Sequence, residues 1–362
     1  MKKAIKRIIP ILMATVIVFT LIPGISKVYA AGKYEGTIDS SCEWLKENSP
    51  EPGHGDEWTV FCLARHNAKK YKDYINRYLD AEGEYVAQVD GVLSTYKYTE
   101  YAKLAIVLGA CGEDPANFKG YDILAPLTDV DAVSLQGLNG CAWALIAMDS
   151  VNYEKEGAED LSETREQYID ILLRNQFQDG GWSMDGVNAY NADFGLTAMI
   201  MTALYPYREQ PSVTAALEMA TNFLSRKQGV NGTFEDEGDN SSESVAQAIV
   251  ALNSCAMNPE SDEFVKEQGF LDALMTYQVN GGFSHEPGGM VNPMATQQAT
   301  YALISQERAE KGQSALFDFT NSKTADGNNK NTRVIVLSII AVLIIICIGL
   351  FIVIKKCRKK RK

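Results

Sequence analysis

Apolar residues in the middle of the chain recur with helical spacing, and the pattern is repeated. The stretches FGLTAMIMTAL, SESVAQAIVAL and PMATQQATYAL are small and apolar nearly all round, and a helix without a broad polar face is buried on both sides. Each is preceded by a more charged helical stretch, such as REQYIDILLRNQ or TAALEMATNFLSRKQ, whose one apolar face suits a half-exposed outer layer. Between them lies a turn with a Gln, glycine and then an aromatic residue: NQFQDGGWS (Asn175 to Ser183), KQGVNGTF (Lys227 to Phe234) and YQVNGGF (Tyr277 to Phe283). The unit is helix, Gly turn, helix, returning about every 50 residues.

The apolar stretches align on their Ala-Leu pairs, Ala144-Leu145, Ala203-Leu204, Ala251-Leu252 and Ala302-Leu303, and ten positions before each Ala stand Ser134, Asp193, Ser241 and Asn292. All four residues are of types that cap helix N-termini, which predicts one helix start in four copies. The copy LTDVDAVSLQGLNGCAWALIAM has lost its Gly-aromatic turn. EWTVFCLARHN (Glu57 to Asn67) and YTEYAKLAIVLGACGEDP (Tyr98 to Pro115) read as further helices of this kind. Alternating buried and half-exposed helices predict an all-α fold, an α/α barrel of two concentric layers. The repeat domain spans residues 57–313 after a lead-in over 31–56, and no segment is rich in strands.

The two ends have a different pattern. Lys2, Lys3, Lys6 and Arg7 precede an apolar run from Ile8 to Ile25 that ends at Val28-Tyr29-Ala30, which predicts a signal peptide over 1–30 cut after Ala30; the alternative is an uncleaved anchor. Val334 to Ile354 has no charge and meets the ~20 apolar residues a membrane helix needs. The basic tail KKCRKKRK over 355–362 belongs on the cytoplasmic side. A sortase signal would need an L-P-x-T-G-like site upstream, and LFDFTNSKTADGNNKNTR has none. The expectation is a single-pass protein with its N-terminal domain outside the cell, joined to a permanent span by a flexible stalk over 314–333.

Charge narrows the partners. The formal net charge of −12 includes five positive charges before Ala31 and seven after Ile354, so the segment between them carries −24. Such a surface repels phosphate backbones, which excludes nucleic acid as a partner. Of the seven cysteines, Cys42, Cys62, Cys111, Cys141 and Cys255 lie between the ends, mostly among apolar neighbours as small buried hydrophobes. C-x-x-C and H-E-x-x-H are absent and the histidines are His54, His66 and His285, so neither a metal centre nor a resident cofactor is expected. Glu235, Asp236, Glu237 and Asp239 bring enough carboxylates together for Ca2+ but lack EF-hand spacing, and read as a solvated acidic loop.

A Q-x-x-x-G-G-W/F turn followed by a small-residue helix resembles the repeats of the terpenoid cyclase and protein prenyltransferase superfamily, over Glu57 to about Arg308. The resemblance implies an α6/α6 toroid with a cavity lined by its inner helices. The phrases GLNGCAWALIAMDS, NADFGLTAMIMTALYPY, SSESVAQAIVALNS and MATQQATYAL look most like exported bacterial repeat proteins and the helical domain of the vitamin B12 carriers, intrinsic factor and transcobalamin. That likeness implies a Gram-positive surface and allows a cobalamin-type ligand, although no β-domain follows the repeats. Laid on the cyclase motif D-x-D-D-T-A through Thr197-Ala198, the chain has Asp193 at the first Asp but Gly195 and Leu196 at the acid positions. The prenyltransferase zinc ligands are likewise unmatched. The resemblance therefore implies a binder of a small apolar or amphipathic ligand, or of a surface protein or polymer. An isoprenoid-converting enzyme with Glu243 or Asp131 as its acid is the alternative.

If the inner helices start at one rim, the polar residues just inside them converge: Gln136, Asn139 and Trp143; Asp193 and Thr197; Glu243 and Gln247; Gln297 and Tyr301. Asn139/Trp143, Glu243/Gln247 and Gln297/Tyr301 are each four apart and share a helical face, giving a mostly apolar pocket with polar anchors. Asn240-Ser241-Ser242-Glu243 also reads as a capping box. Trp58, Tyr98 and Tyr101 are candidates for the cavity wall.

Overall fold

A computed structural model describes residues 32–154, 161–184, 186, 192–234 and 240–320. The expected signal peptide, the span, the acidic cluster at 235–239 and most of the stalk lie outside these residues. Among the described residues no helix is long and apolar enough to cross a membrane.

The fold is all-α. Its longer helices are α1 (Glu35–Asn48), α2 (Glu57–Asn67), α3 (Lys72–Gln88), α4 (Thr99–Cys111), α6 (Leu138–Ser150), α7 (Ser162–Arg174), α8 (Phe194–Leu204), α9 (Pro211–Lys227), α10 (Ser242–Ser254) and α12 (Pro293–Glu310). Two short α-helices, α5 (Val130–Ser134) and α11 (Phe270–Met275), are interspersed with them among the described residues. The described strands, Gln278–Val279 and Gly282–Phe283, form a minimal antiparallel hairpin with Gln278 opposite Phe283. That hairpin is the third Gly turn.

Contacts between helices run in a circuit: α2 packs on α4, α4 on α6, α6 on α8, α8 on α10, α10 on α12, and α12 returns to α2. These six are the apolar stretches of the sequence, and residues such as Ala105, Cys141, Ala198, Ala248 and Ala299 are wholly buried in them. Their small side chains let neighbouring helices approach closely on both sides. The other helices lean against the circuit from one side, α1 on α12 and α2, α3 on α2, α7 on α6, α9 on α8 and α11 on α10. In α3, for example, the buried stripe is Tyr74, Tyr78, Glu82 and Val86, four apart as one helical face requires.

The Gly turns precede and fasten the starts of three circuit helices, α8, α10 and α12. Gly180 and Gly232, matching glycines of successive turns, have φ of +98° and +80°, a region open to glycine. A Cβ at Gly180 would lie 2.2 Å from the Met219 carbonyl oxygen in α9, and one at Gly232 would lie 2.4 Å from that of Gly269. The aromatic residue two positions on is buried in all three turns: Trp182, Phe234 and Phe283. The Trp182 N–H donates to Thr197 Oγ1 at 3.0 Å and the Phe283 N–H to Thr296 Oγ1 at 2.9 Å. Their carbonyls accept from the N–H groups of Asp193 and Asn292, both at 2.8 Å. Cap and turn thus lock together.

Three of the four expected caps are present: Asp193 accepts from the Leu196 N–H, Ser241 from Ser244 and Asn292 from Ala295. The fourth is corrected. Ser134 ends α5, which Asp129 caps, and α6 starts four residues later behind Gly137 at φ +74°. The lost Gly-aromatic turn is replaced there by a helical jog, which moves the start.

The stalk expected from residue 314 starts too early. Leu316, Phe317 and Phe319 are buried, and the Phe319 N–H donates to the Ser150 carbonyl at 2.8 Å. Phe317 stacks on Phe61 with ring centres 5.5 Å apart and meets Trp143 edge-on at 5.8 Å. The segment through Thr320 is part of the folded domain.

Candidate functional site

A cavity of about 450 Å3 receives side chains from every helix of the circuit. Trp58 comes from α2, Thr99, Glu100 and Lys103 from α4, Asn139 and Trp143 from α6, Met199 from α8 and Gln247 from α10. Helix α12 adds Met294, Gln297, Gln298 and Tyr301. Trp58 lies 5.3 Å from Trp143 and 5.9 Å from Tyr301 between ring centres. Behind these rings, Phe61 and Phe317 extend the aromatic cluster.

Several polar groups in this wall are held by one another or by residues just behind it. Gln247 Nε2 donates to Tyr301 Oη at 2.6 Å and to Gln298 Oε1 at 2.9 Å. Gln297 Nε2 donates to Thr59 Oγ1 at 3.1 Å. Burial raises the Tyr301 phenol, so it stays protonated. Lys103 Nζ lies 2.7 Å from Glu100 Oε2 and 3.1 Å from Glu57 Oε2. Burial alone would lower the Lys103 ammonium, but these two carboxylates outweigh it and raise it. The result is an aromatic and thioether surface with fixed amides and one compensated charge, suited to hold an apolar body by a few polar points.

Of the residues expected from the sequence, Asn139, Trp143, Gln247, Gln297 and Tyr301 share this wall, as does Trp58. The others serve elsewhere. Gln136 accepts from the Thr99 N–H at 3.0 Å, satisfying the start of α4. Asp193 is the α8 cap and Thr197 is wholly buried against the Trp182 turn. Asp131 is exposed in the first turn of α5. Glu243 makes no capping box: the cap is Ser241, so Glu243 is one position short of reaching back, and its Oε2 accepts from Ser242 Oγ at 3.1 Å and meets His285 Nδ1 at 2.9 Å. Tyr98 and Tyr101 lie outside the wall, the Tyr101 hydroxyl donating to the Ser94 carbonyl. Sequence reasoning missed Lys103, Glu100 and Gln298. Gln298 was legible as the neighbour of Gln297, whereas Lys103 shows no signal before α4 is placed in the circuit.

A second cavity, about 590 Å3, lies by the ends of α6 and α8. Its polar groups satisfy one another: Asp149 accepts from Arg165 Nε and from the Tyr207 hydroxyl, each at 2.8 Å. Burial raises the Asp149 carboxyl even so. A third grouping joins His54, Glu57 and Glu82, whose donor atoms all lie within 4.8 Å. Burial raises the Glu82 carboxyl. All five described cysteines are unpaired thiols.

The chain matches no protein-family model and no curated protein at a significant level.

Proposed function

We propose that the chain is an exported, membrane-anchored α/α toroid that binds a small apolar or amphipathic ligand in the 450 Å3 cavity. The observation that supports it most is the wall itself, to which all six circuit helices contribute aromatic, thioether and amide side chains. A closed circuit of inner helices with a second set leaning on it is what a two-layer toroid requires. The anchor is the uncharged run Val334 to Ile354 and the export signal is the N-terminal 30 residues. Binding is favoured over isoprenoid chemistry because the cyclase acid positions hold Gly195 and Leu196 and because Asp131 and Glu243, the acids that chemistry would use, stand outside the wall, while Glu100 within it is paired with Lys103.

Mass spectrometry of solvent extracts from the purified full-length protein tests this, together with quenching of tryptophan fluorescence by fatty acyl and polyprenyl amphiphiles. One class should co-purify or bind at about micromolar levels, and Trp143→Leu should weaken it at least tenfold in a protein that remains helical by circular dichroism. No bound molecule and no quenching, or binding that Trp143→Leu leaves unchanged, rejects the cavity as the site. Conversion of a polyprenyl diphosphate to product would replace binding with catalysis.

A further inference from the structure

Outside the cavity wall, the start of α2 and the body of α3 bring together a second set of donor groups. His54 precedes α2, Glu57 opens it, and Glu82 lies in the middle of α3. His54 Nδ1 is 3.2 Å from Glu82 Oε1 and 3.5 Å from Glu57 Oε1. Both carboxylates are buried, Glu57 at 1% and Glu82 at 0% exposure, while 36% of the His54 side chain remains open to solvent. The imidazole is held in place by stacking on Tyr85, with ring centres 3.8 Å apart.

A buried carboxylate normally has its lone pairs occupied. Glu82 Oε2 has no hydrogen-bond partner among the described residues, and neither does the buried hydroxyl of Tyr78, one turn earlier on the same face. Glu82 occupies a register position whose neighbours, Tyr74, Tyr78 and Val86, are apolar or aromatic. An acid there leaves a buried charge that something must compensate. The Lys103 ammonium is committed to other carboxylates, 3.1 Å from Glu57 Oε2 and 2.7 Å from Glu100 Oε2.

We propose that His54 Nδ1, Glu57 Oε1 and Glu82 Oε1 bind a divalent transition-metal ion of the Zn2+ type. The spacing fits: bonds of about 2.0–2.1 Å in a tetrahedral site put donors about 3.3–3.4 Å apart, close to the two distances from His54. A metal cation there would meet the two buried carboxylates, Glu57 and Glu82, together. An imidazole beside two carboxylates selects Zn2+ and its neighbours over Mg2+ and Ca2+, which take oxygen ligands. The Gly55 N–H, donating to Glu57 Oε1 at 2.9 Å, and Lys103 on Oε2 orient the Glu57 carboxylate from outside. Three protein donors leave the fourth position for water on the open side of His54.

The test uses the full-length protein in detergent, stripped with chelator and dialysed against Zn2+ in the presence of excess Mg2+, followed by elemental analysis and calorimetry. One Zn2+ per chain is expected, and His54→Ala and Glu82→Gln should each weaken it at least tenfold. His54 is partly exposed, so its variant keeps the fold if Glu82→Gln does not, and circular dichroism checks both. Replacing Zn2+ by Co2+ should give visible bands of a four- to five-coordinate site without the near-ultraviolet charge transfer of a thiolate ligand. Fewer than about 0.1 equivalents in the wild type, thiolate bands, or Zn2+ binding that survives both substitutions would overturn the assignment.

Discussion

Replacing Phe317 with Ala separates a domain that ends in a stalk at residue 314 from one that continues through Thr320. In a stalk the substitution has no effect. In the structure the Phe317 ring is 8% exposed and contacts Phe61, Trp143 and Tyr301. Burial of an aromatic ring of this kind and loss of its packing together amount to about 3–5 kcal/mol for Phe→Ala. The low end, about 3 kcal/mol, applies because the residue is not wholly enclosed. At about 2 °C per kcal/mol for a domain of this size, Tm should fall by about 6 °C. Differential scanning fluorimetry measures it, and Trp143 emission should shift red in the folded variant as water reaches the ring. Met290→Ala, at a side chain 89% exposed, is the control and should leave Tm within about 1 °C. A change of under 1 °C in Phe317→Ala would refute the packing of this segment and with it the aromatic backing of the cavity.

Asp193→Ala removes a cap hydrogen bond of 2.6 Å and should destabilise by about 1 kcal/mol; Ser134→Ala, at a residue that caps nothing, should stay within about 0.5 kcal/mol, and equal effects in urea titrations would contradict the corrected α6 start. Burial pushes the Cys141 thiol up to about 11 and those of Cys111 and Cys255 up to about 12. At pH 8 the native protein should therefore offer Ellman's reagent only Cys357 of the basic tail, because Cys347 falls within the proposed span, and the five thiols of the folded domain should react as well in guanidinium. Hydrogen bonds from Lys70 and His66 lower the Asp39 carboxyl, so its stabilisation is present above the ordinary carboxylate range and is lost as pH falls through the lowered value. Because Asp39 is 44% exposed, the effect is under about 1 kcal/mol: Asp39→Asn should lower Tm slightly at pH 6 and not at all near pH 2, and a larger deficit in acid would reverse the sign.

The circuit helices were legible because burial on both sides removes their polar face, and that leaves a trace in every residue of FGLTAMIMTAL or SESVAQAIVAL. The caps were legible for a related reason: Asp193, Ser241 and Asn292 sit at a fixed distance from Ala-Leu because the Gly turn fixes where the helix starts. Ser134 misled because that turn is absent from its copy, and a polar residue in the right column then has nothing to hold it at a helix end. The stalk boundary failed through composition. LFDFTNSKT is polar overall, yet Leu316, Phe317 and Phe319 alone supply enough apolar surface to dock the segment.

Site residues were harder to read, because alignment within a repeat gives the turn of a helix but not which side faces the cavity. Thr197 and Tyr301 are both inside an inner helix, four and nine positions after their caps. One faces the Trp182 turn and the other the cavity, and only the packing of neighbouring helices separates these directions. Glu82 shows a signal that a single helix does carry. A carboxylate four after Tyr78 and four before Val86 occupies a register position otherwise taken by apolar or aromatic side chains, and local sequence provides no partner for it. The charge must be met by another element, and the folded chain places His54 there at 3.2 Å. Such a position is readable as a demand for a cation, whether imidazolium, ammonium or metal, before the structure shows which elements surround it.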